Sequence, residues 1–478
     1  GATLDPAAPA QPVTTIGGVT RVQFVSPVRL FDTRTDAASS ALIRSDGAAG
    51  GPLTATRSGT CNPLSAAPSG TTGVWLNAAA APQAETGFLS VAPSGVAAST
   101  STLNYAPPAA RANAVPVALG AVGGVTFTAS STVDVIADLT AAFSSTGLGL
   151  LAIEPRRVMD TRAYSGLAGG TRLAIDVHAP PAARGVVASV AVISRSVGGF
   201  VTAFSCDGAA PASSNINFGP SSVVANTVMS AVSGGELCFQ SSTDVDLIVD
   251  VTGYLVEAGE LSYQPLVPVR LLDTRQPGSR YVGRLGEGQT IEVPIQSLPG
   301  MPSGVMAAFV NLTSISPSTR GFIALHPCGS PMVTTSSLNL SPDQPVAALA
   351  LSALAGGSLC VTSASRTHLV VDLLGVWVPT PGAPPPTGIP GTTTPPDSED
   401  TDVIDPTAAD AGTADSAARD GGPPAASGPG CSCSVTASTA APRFGTGAAL
   451  SVVAWAVLAQ RRRRRRVRPG ARSDQPGR

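Results

Sequence analysis

The chain contains one sequence unit three times, and this repetition constrains its fold more than any other feature. Each unit opens with a charged motif, at 27–34, 155–162 or 268–275. A Gly-Phe pair, a short segment centred on Asn, a Gly-Gly pair and an apolar run ending in Asp then follow in the same order. We therefore interpret the body of the chain as one domain copied three times. The copies lie at 21–146 (repeat 1), 148–258 (repeat 2) and 261–379 (repeat 3).

The residue pattern inside each repeat predicts β-structure. Its apolar runs are short and rich in Val, Ile and Thr, and clusters of Gly, Pro and Ser separate them at roughly 8 to 12 residues. This pattern is typical of all-β sandwiches and barrels, so we expect three tandem β-sandwich or barrel-like domains of roughly eight to ten strands each. Connections of only a few residues favour a stiff rod of such domains.

The distribution of charge excludes some partners. The formal net charge of −2 combines an acidic body with a cluster of Arg at the extreme C-terminus, and the chain has no Lys. Phosphate contacts need clustered basic residues on the folded part, so we expect no nucleic-acid partner. No run of about 18 apolar residues precedes position 444, which argues against several membrane spans.

The segments outside the repeats differ from them in composition. Residues 1–20 form an N-terminal segment. Residues 380–430 are rich in Pro, Thr and acids and cannot bury enough apolar surface to offset the entropy of ordering, so we predict a disordered, extended spacer.

The C-terminal region, 431–478, has three parts in a fixed order. Cys431 and Cys433 come first, an uncharged apolar run at 444–459 follows, and an Arg cluster ends the chain. This order predicts a short membrane-spanning helix with the arginines in the cytoplasm and the repeats exported. A plain tail anchor is the alternative. Since the chain begins without Met, we expect that an export signal has been removed.

The cysteines predict two disulfide bonds. Cys206 and Cys238 in repeat 2 occupy the same relative positions as Cys328 and Cys360 in repeat 3, and repeat 1 lacks both members. Joint absence is expected of a bonded pair, because a single member would leave a free thiol. Disulfides place the repeats in an oxidising compartment. Cys61 has no counterpart and is predicted to be free. No repeat has zinc-type spacing of Cys and His, so we expect neither a metal nor another cofactor.

The recurring charged residues form the main candidate set. A carboxylate flanked by Val on both sides, such as Asp250, is costly to bury unless it is paired. We expect the closing Asp of each repeat to pair with an Arg of the opening motif. In an extended strand Asp32 and Arg34 share a face, and Arg29 lies on the other. The full set is Arg29, Asp32, Arg34 and Asp138 in repeat 1, Arg157, Asp160, Arg162 and Asp250 in repeat 2, and Arg270, Asp273, Arg275 and Asp372 in repeat 3.

Two other roles for these carboxylates are weighed against the structural one. Asp32, Asp134 and Asp138 could converge on calcium, although the chain has no Asp-x-Asp-x-Asp-Gly loop. Paired carboxylates could catalyse hydrolysis, but enzymes seldom copy an active site in series.

Other polar positions also recur. Asn amides that we expect to be buried and to bridge backbone groups lie at Asn104, Asn217 and Asn339. A second pair, Asn113 and Asn226, has Ala348 as its third counterpart, a departure that favours support of a turn.

Enzyme signatures are absent from the sequence. No nucleophile elbow and no phosphate-binding loop is present, and we predict no catalytic residue. Trp75 aligns with Val190 and Phe309, so we expect it in the core rather than on a sugar-binding platform. The three His occupy non-equivalent positions, His178, His326 and His368.

Two parts of the chain resemble known families. The C-terminal order of Cys, short span and Arg cluster resembles the MYXO-CTERM sorting signal of myxobacterial surface proteins. That resemblance implies that a rhombosortase-like protease cuts the chain and that Cys431 or Cys433 is lipidated. The repeats resemble the VxRLxDTR domain of bacterial surface proteins at 28–34 and 269–275, and less closely at 156–162. This second resemblance implies tandem surface display and no known reaction.

Together these features predict a non-enzymatic bacterial surface protein. We expect a membrane- or lipid-anchored stalk of β-modules at the cell surface or outer membrane, with a structural or adhesive role. The alternative is a module that binds extracellular polysaccharide or cell wall, and a surface hydrolase is a weaker one. The expected partners are the sorting protease, further copies of the chain or an envelope glycan.

Overall fold

The computed structural model describes residues 1–35, 53–56, 67–82, 84–120, 123–330, 335–342 and 344–382. Their regular secondary structure is almost entirely β-strand, with one short 3-10 turn at Thr161–Ala163, which confirms the predicted all-β fold. The predicted free thiol Cys61, nearly all of the spacer and the sorting signal with Cys431 and Cys433 lie outside the described residues. Among the described residues, no helix has the length and apolar character needed to cross a membrane.

The strands follow the repeats. A short strand, β1 (Thr3–Leu4), precedes them. Repeat 1 contains β2 (Arg21–Asp32), β3 (Leu53–Thr56), β4 (Gly73–Ala81), β5 (Gly87–Pro93), β6 (Leu103–Tyr105), β7 (Arg111–Ala118), β8 (Gly124–Ala129) and β9 (Asp134–Ser144). Repeat 2 contains β10 (Gly149–Asp160), β11 (Arg172–Asp176), β12 (Ala183–Ser194), β13 (Gly199–Ser205), β14 (Ile216–Phe218), β15 (Val223–Ala231), β16 (Glu236–Ser241) and β17 (Val245–Val256). Repeat 3 contains β18 (Leu261–Asp273), β19 (Tyr281–Val282), β20 (Thr290–Pro294), β21 (Ala307–Ile315), β22 (Gly321–Pro327), β23 (Leu338–Leu340), β24 (Val346–Ala353), β25 (Ser358–Ser363) and β26 (His368–Pro379).

Each repeat forms two antiparallel sheets of four strands. The inner sheet contains the opening and closing strands, in the orders β2-β9-β4-β7, β10-β17-β12-β15 and β18-β26-β21-β24. The inner sheets of repeats 2 and 3 are joined through β10 and β18 into one continuous sheet of eight strands. The outer sheet has the orders β3-β8-β5-β6, β11-β16-β13-β14 and β20-β25-β22-β23. Both sheets of a repeat contribute side chains to one apolar core, for example Leu76 from β4 and Phe127 from β8 in repeat 1. The core therefore lies between the two sheets of each repeat.

The three repeats close into a ring rather than a rod. The opening strands lie side by side at their beginnings, where equivalent positions pair at every junction. These junctions are Val22 with Leu148, Leu150 with Leu261, and Tyr263 with Thr20. Because the third junction joins repeat 3 back to repeat 1, the serial rod expected from the short connections is wrong. Short connections are equally compatible with tight closure.

A second apolar core lies where the three repeats meet. It includes Val22, Trp75 and Phe143 from repeat 1, Leu150 and Met229 from repeat 2, and Tyr263, Phe309 and Trp377 from repeat 3. The aromatic rings contact one another across the junctions. Phe143 stacks on Tyr263 at 4.6 Å between centroids, and Trp75 lies 5.3 Å from Phe309. Such pairs each add about 0.5–1.5 kcal/mol beyond the burial of their surface.

The N-terminal segment packs on repeat 3 instead of repeat 1. Strand β1 pairs with β19, and the Val13 amide donates to the Pro299 carbonyl at 2.8 Å. The Val13 side chain is part of the repeat 3 core. The segment therefore adds a second link between the start of the chain and its last repeat.

The ring junction leaves room for one large side chain. Arg21 donates to the carbonyl of Gly147 at 3.0 Å and to those of Glu257 and Gly259 at 3.1 Å, so it binds both inter-repeat connections. The equivalent residues of repeats 2 and 3 are Gly149 and Ser262. A Cβ on Gly149 would lie 2.7 Å from the carbonyl oxygens of Gly259 and Leu261. Only glycine fits at that position without moving backbone.

We expect Gly149→Ala to destabilise the protein by about 1–3 kcal/mol, because its methyl group overpacks the junction against backbone atoms. Gly208→Ala is the matched control, since a Cβ there would meet no atom within 4 Å. Urea unfolding monitored by circular dichroism measures both. Equal effects of the two substitutions would contradict the closed junction.

Candidate functional site

An Arg–Asp ion pair joins the opening and closing strands of every repeat. Arg29 lies directly opposite Asp138, Arg157 opposite Asp250, and Arg270 opposite Asp372. In each pair Nε donates to Oδ1 at 2.8 Å, and Nη2 donates to Oδ2 at 3.1–3.2 Å. The three closing carboxylates are at most 1% exposed. The structure thus pairs each closing Asp with an Arg of the opening motif, as expected from the cost of burying an unpaired carboxylate. The geometry is bidentate, which makes such hydrogen bonds strong.

A second ion pair lies within each opening motif. Asp32 accepts from the backbone amide of Arg34 at 3.1 Å and from its Nε at 2.9 Å. Asp160 with Arg162, and Asp273 with Arg275, repeat this arrangement. The motif carboxylate therefore fixes the turn that follows the opening strand.

A β-bulge corrects the expected placement of Arg29. The register between β2 and β9 shifts between Arg29 and Phe31, and the same shift occurs in the other two repeats. A bulge adds one residue and breaks strict alternation of faces. Arg29 consequently reaches Asp32 as well, with Nη1 3.4 Å from Oδ2, so the prediction that it lies on the opposite face is wrong. In repeats 2 and 3 the corresponding distance is 3.9 Å.

The pKa values of the closing carboxylates and of the opening-motif carboxylates are shifted in opposite directions. Burial raises the pKa of the closing residues Asp138, Asp250 and Asp372, and their Arg partners offset part of this shift. Hydrogen bonds from Arg34 and Arg162 lower the pKa of Asp32 and Asp160. A carboxyl group whose pKa is lowered by folding stabilises the folded state at pH values above its unfolded pKa of about 4. That stabilisation is lost as the pH falls through the lowered pKa of the folded state. A raised pKa has the opposite effect: the charged form of each closing carboxylate destabilises the fold at neutral pH. The paired Arg reduces this cost.

Loops from the neighbouring repeat cover the ion pairs. The backbone amide of Ser214 in repeat 2 hydrogen-bonds Asp138 of repeat 1, and that of Ser336 in repeat 3 hydrogen-bonds Asp250 of repeat 2. In repeat 3, Asn311, opposite Asp372, donates to the carbonyl of Ser101 in repeat 1 at 2.8 Å. The ion pairs of repeats 1 and 2 therefore contact the next repeat, and in repeat 3 the residue opposite the buried carboxylate makes that contact.

The second set of Asn residues links repeats. Asn113 of repeat 1 accepts from the amide of Leu349 at 2.9 Å and donates to Asn311 at 2.8 Å, both in repeat 3. Asn226 of repeat 2 accepts from the amide of Ala114 in repeat 1 at 3.1 Å. Each amide also donates to a carbonyl of its own repeat, that of Thr102 at 2.7 Å or that of Asn215 at 2.8 Å, so the local support expected from the sequence is accompanied by a link between repeats.

The third member of this set, Ala348, has no amide to make the same link. At this junction the hydroxyl of Thr227 in repeat 2 donates to the Leu349 carbonyl of repeat 3 at 2.5 Å. A different polar contact thus joins repeats 2 and 3 where repeat 3 lacks the Asn.

Both predicted disulfides are confirmed, and both lie on outer sheets. Cys206 bonds Cys238 in repeat 2, and Cys328 bonds Cys360 in repeat 3, with Cα–Cα distances of 5.1 and 4.9 Å. Each joins the end of one outer-sheet strand to its neighbour. Loops of this length contribute about 3–4 kcal/mol in the chain-entropy account.

Trp75 lies in the core, as expected, but with a different alignment. It pairs with Ala141 and forms part of the core between the three repeats. Its structural counterparts are Phe309, as aligned, and Val187 instead of Val190, because these residues precede the same register shift in each repeat. The sequence alignment was displaced in repeat 2.

The first set of Asn residues differs from its prediction. Asn104, Asn217 and Asn339 are only half-buried, and Oδ1 of Asn104 and of Asn339 has no hydrogen-bond partner among the described residues. Each lies opposite the Phe of the Gly-Phe pair: Phe88, Phe200 and Phe322 respectively. Phe88 is 42% and Phe200 43% exposed. Sequence reasoning used the Gly-Phe pair only to align the repeats and missed this surface.

The described residues contain no group of three or more His, Cys, Asp or Glu side chains placed to hold a metal ion. Among the carboxylates considered for calcium, Asp32 and Asp138 bind arginines, and Asp134 accepts from the Thr33 hydroxyl at 3.1 Å.

Comparisons with protein-family models, with curated proteins and with solved structures find no match.

We expect Asp250→Ala to lower the free energy of unfolding by about 3 kcal/mol, because it removes the buried carboxylate that accepts two hydrogen bonds from Arg157. Asp160→Ala is the matched control in the same repeat, since its partner Arg162 is 55% exposed. Exposed pairs contribute about 1 kcal/mol or less. Thermal and urea unfolding measure both variants, and an Asp250 effect no larger than that of Asp160 would refute the structural role of the buried pair.

Proposed function

We propose that the chain is a non-enzymatic protein of the bacterial cell surface, in which three β-sandwich repeats form a rigid head with a structural or adhesive role. One observation carries the proposal. The twelve charged residues that recur in the repeats are all engaged in contacts between strands, within turns or between repeats. The chemistry that the chain repeats is therefore used to hold the head together.

Export is supported by the two disulfides. Disulfides persist in oxidising compartments and are rare in the cytosol. The order of Cys431, Cys433, the apolar run at 444–459 and the terminal arginines supports anchoring through the C-terminal region, with a sorting protease as the first partner.

The end of repeat 3 supports a head in place of the stalk expected from the sequence. The Thr380 amide donates to the Glu260 carbonyl at 2.7 Å, and its hydroxyl donates to the Gly259 carbonyl at 3.2 Å. Gly259 also accepts from Arg21, so the chain leaves repeat 3 where the three opening strands meet.

A second candidate function is binding of an extracellular polysaccharide, alone or together with the structural role. The exposed Phe88 and Phe200 favour it, because sugar-binding proteins usually need solvent-exposed aromatic rings. The sequence alone did not show that this protein has such rings. No observation favours the surface hydrolase.

Mass spectrometry of the mature protein from native cells tests the anchoring. We expect a chain that ends at Cys431 or Cys433, carries an added acyl mass and lacks 444–478. Cys431→Ser and Cys433→Ser identify the modified position, because only one of them should abolish processing. Cys61→Ser is the matched control and should leave processing unchanged. A full-length, unlipidated protein that external protease does not reach would overturn the proposed localisation.

A further inference from the structure

The same two residues lie side by side on the outer sheet of every repeat. Phe88 of β5 is opposite Asn104 of β6, and the other repeats have the equivalent pairs. Directly opposite residues of antiparallel strands project from the same face, with Cβ atoms about 5 Å apart. Since Leu89 and Leu103 point into the core, Phe88 and Asn104 point away from it. The equivalent pairs are Phe200 with Asn217 and Phe322 with Asn339.

The exposed rings are exceptions within this protein. Phe31, Phe127 and Phe239 are almost completely buried, whereas Phe88 and Phe200 each leave more than two fifths of their surface in water. Phe322 is partly buried. An aromatic ring that stays in water does not gain the free energy of burial. Because this exposure recurs at equivalent positions of the fold, we infer that the exposed rings have a role other than stability.

The neighbouring Asn provides an unused hydrogen-bond donor. Oδ1 of Asn104 and of Asn339 is shielded from solvent, and that of Asn217 accepts from the Ser214 hydroxyl at 3.0 Å. The amide nitrogens make no hydrogen bond within the described residues and are not among the buried unpaired atoms. Each nitrogen is therefore available to solvent beside the ring.

An aromatic ring next to an amide donor suits a sugar. The apolar C–H face of a pyranose packs on the ring, while a hydroxyl oxygen accepts from the amide. Binding sites commonly combine an aromatic wall with a few placed polar groups in this way. Neither member of the pair is charged, and the chain without its terminal Arg cluster is acidic, which disfavours polyanions. A neutral sugar fits this chemistry best.

Three such pairs on one rigid ring favour a polymeric ligand. A chain of repeated sugar units that is long enough to reach a second pair would bind with an apparent affinity well above that of one site. We propose that Phe88 with Asn104, Phe200 with Asn217 and Phe322 with Asn339 are three equivalent binding sites for a neutral polysaccharide. The proposal identifies the sites of the second candidate function and does not depend on how the chain is anchored.

Affinity electrophoresis of the purified full chain tests these sites. The probes are gels that contain dextran, glucomannan, xylan or mixed-linkage β-glucan, with alginate as the polyanionic comparison. We expect at least one neutral polysaccharide to retard the protein and alginate to have no effect. Each single Phe→Ala substitution should weaken the apparent affinity roughly tenfold, and the triple substitution should abolish retardation. Replacing the three Phe by Trp should preserve it.

Controls separate binding from folding. Tyr164→Ala removes another exposed aromatic ring, 74% exposed in repeat 2 but outside the pairs, and should leave retardation unchanged. Thermal unfolding of every variant should match that of the parent, since the substituted rings lie outside the cores. The three Asn→Ala substitutions should weaken binding without changing stability.

Three results would overturn the proposal. These are no retardation by any neutral polysaccharide, equal retardation of the parent and the triple Phe variant, and a parent that self-associates in size-exclusion chromatography through the Phe residues instead of binding sugar. None of these results concerns the C-terminus, so failure here leaves the anchoring proposal to its own test.

Discussion

The shared apolar core between the three inner sheets is the interaction on which the rest of the structure depends. Each inner sheet is covered on one face by its own outer sheet and on the other by the neighbouring repeats. Strand β4 shows the consequence, because eight of its nine residues are buried instead of every second one. A repeat removed from the ring would expose Trp75, Tyr263 or Phe309 to water. The repeats therefore complete one another's burial.

Double burial explains why the recurring charges are placed as they are. The closing strands lie inside the inner sheets, so a carboxylate such as Asp250 cannot reach water, and an Arg on the adjacent opening strand must compensate its charge. The neighbouring repeat then supplies a backbone amide to the same carboxylate, from Ser336. The ion pair and the ring thus stabilise each other, and this is the physical basis for assigning the repeated chemistry to structure.

Local patterns in the sequence predicted much of this structure. Strand character, the three copies and the two disulfides follow from residue type and relative spacing, and the cost of a buried carboxylate indicated the pairing of Asp250. The bulge between Arg29 and Phe31 could not be read in this way, because an extra residue in a strand leaves no distinct residue pattern. The packing of the N-terminal segment on repeat 3 could not be predicted either, since nothing near Val13 indicates a partner almost three hundred residues away.

The ring had a sequence signal that was not used. The run at 186–193 is apolar without alternation, as expected of a strand buried on both faces. A separate two-sheet domain would bury only one face of such a strand. The run therefore indicates that a second layer covers the other face. The exposure of Phe88 is different, because no residue pattern distinguishes a surface Phe from a core Phe at the start of a strand.

The most direct test of the closed ring is a double-mutant cycle between Asn113 in repeat 1 and Asn311 in repeat 3. Their amides are 2.8 Å apart in the ring, and they would not meet in a rod. Asn113→Ala, Asn311→Ala and the double variant are compared by urea unfolding. The account predicts a coupling free energy of about 0.5–3 kcal/mol between the two positions. Effects that add within about 0.3 kcal/mol would contradict it.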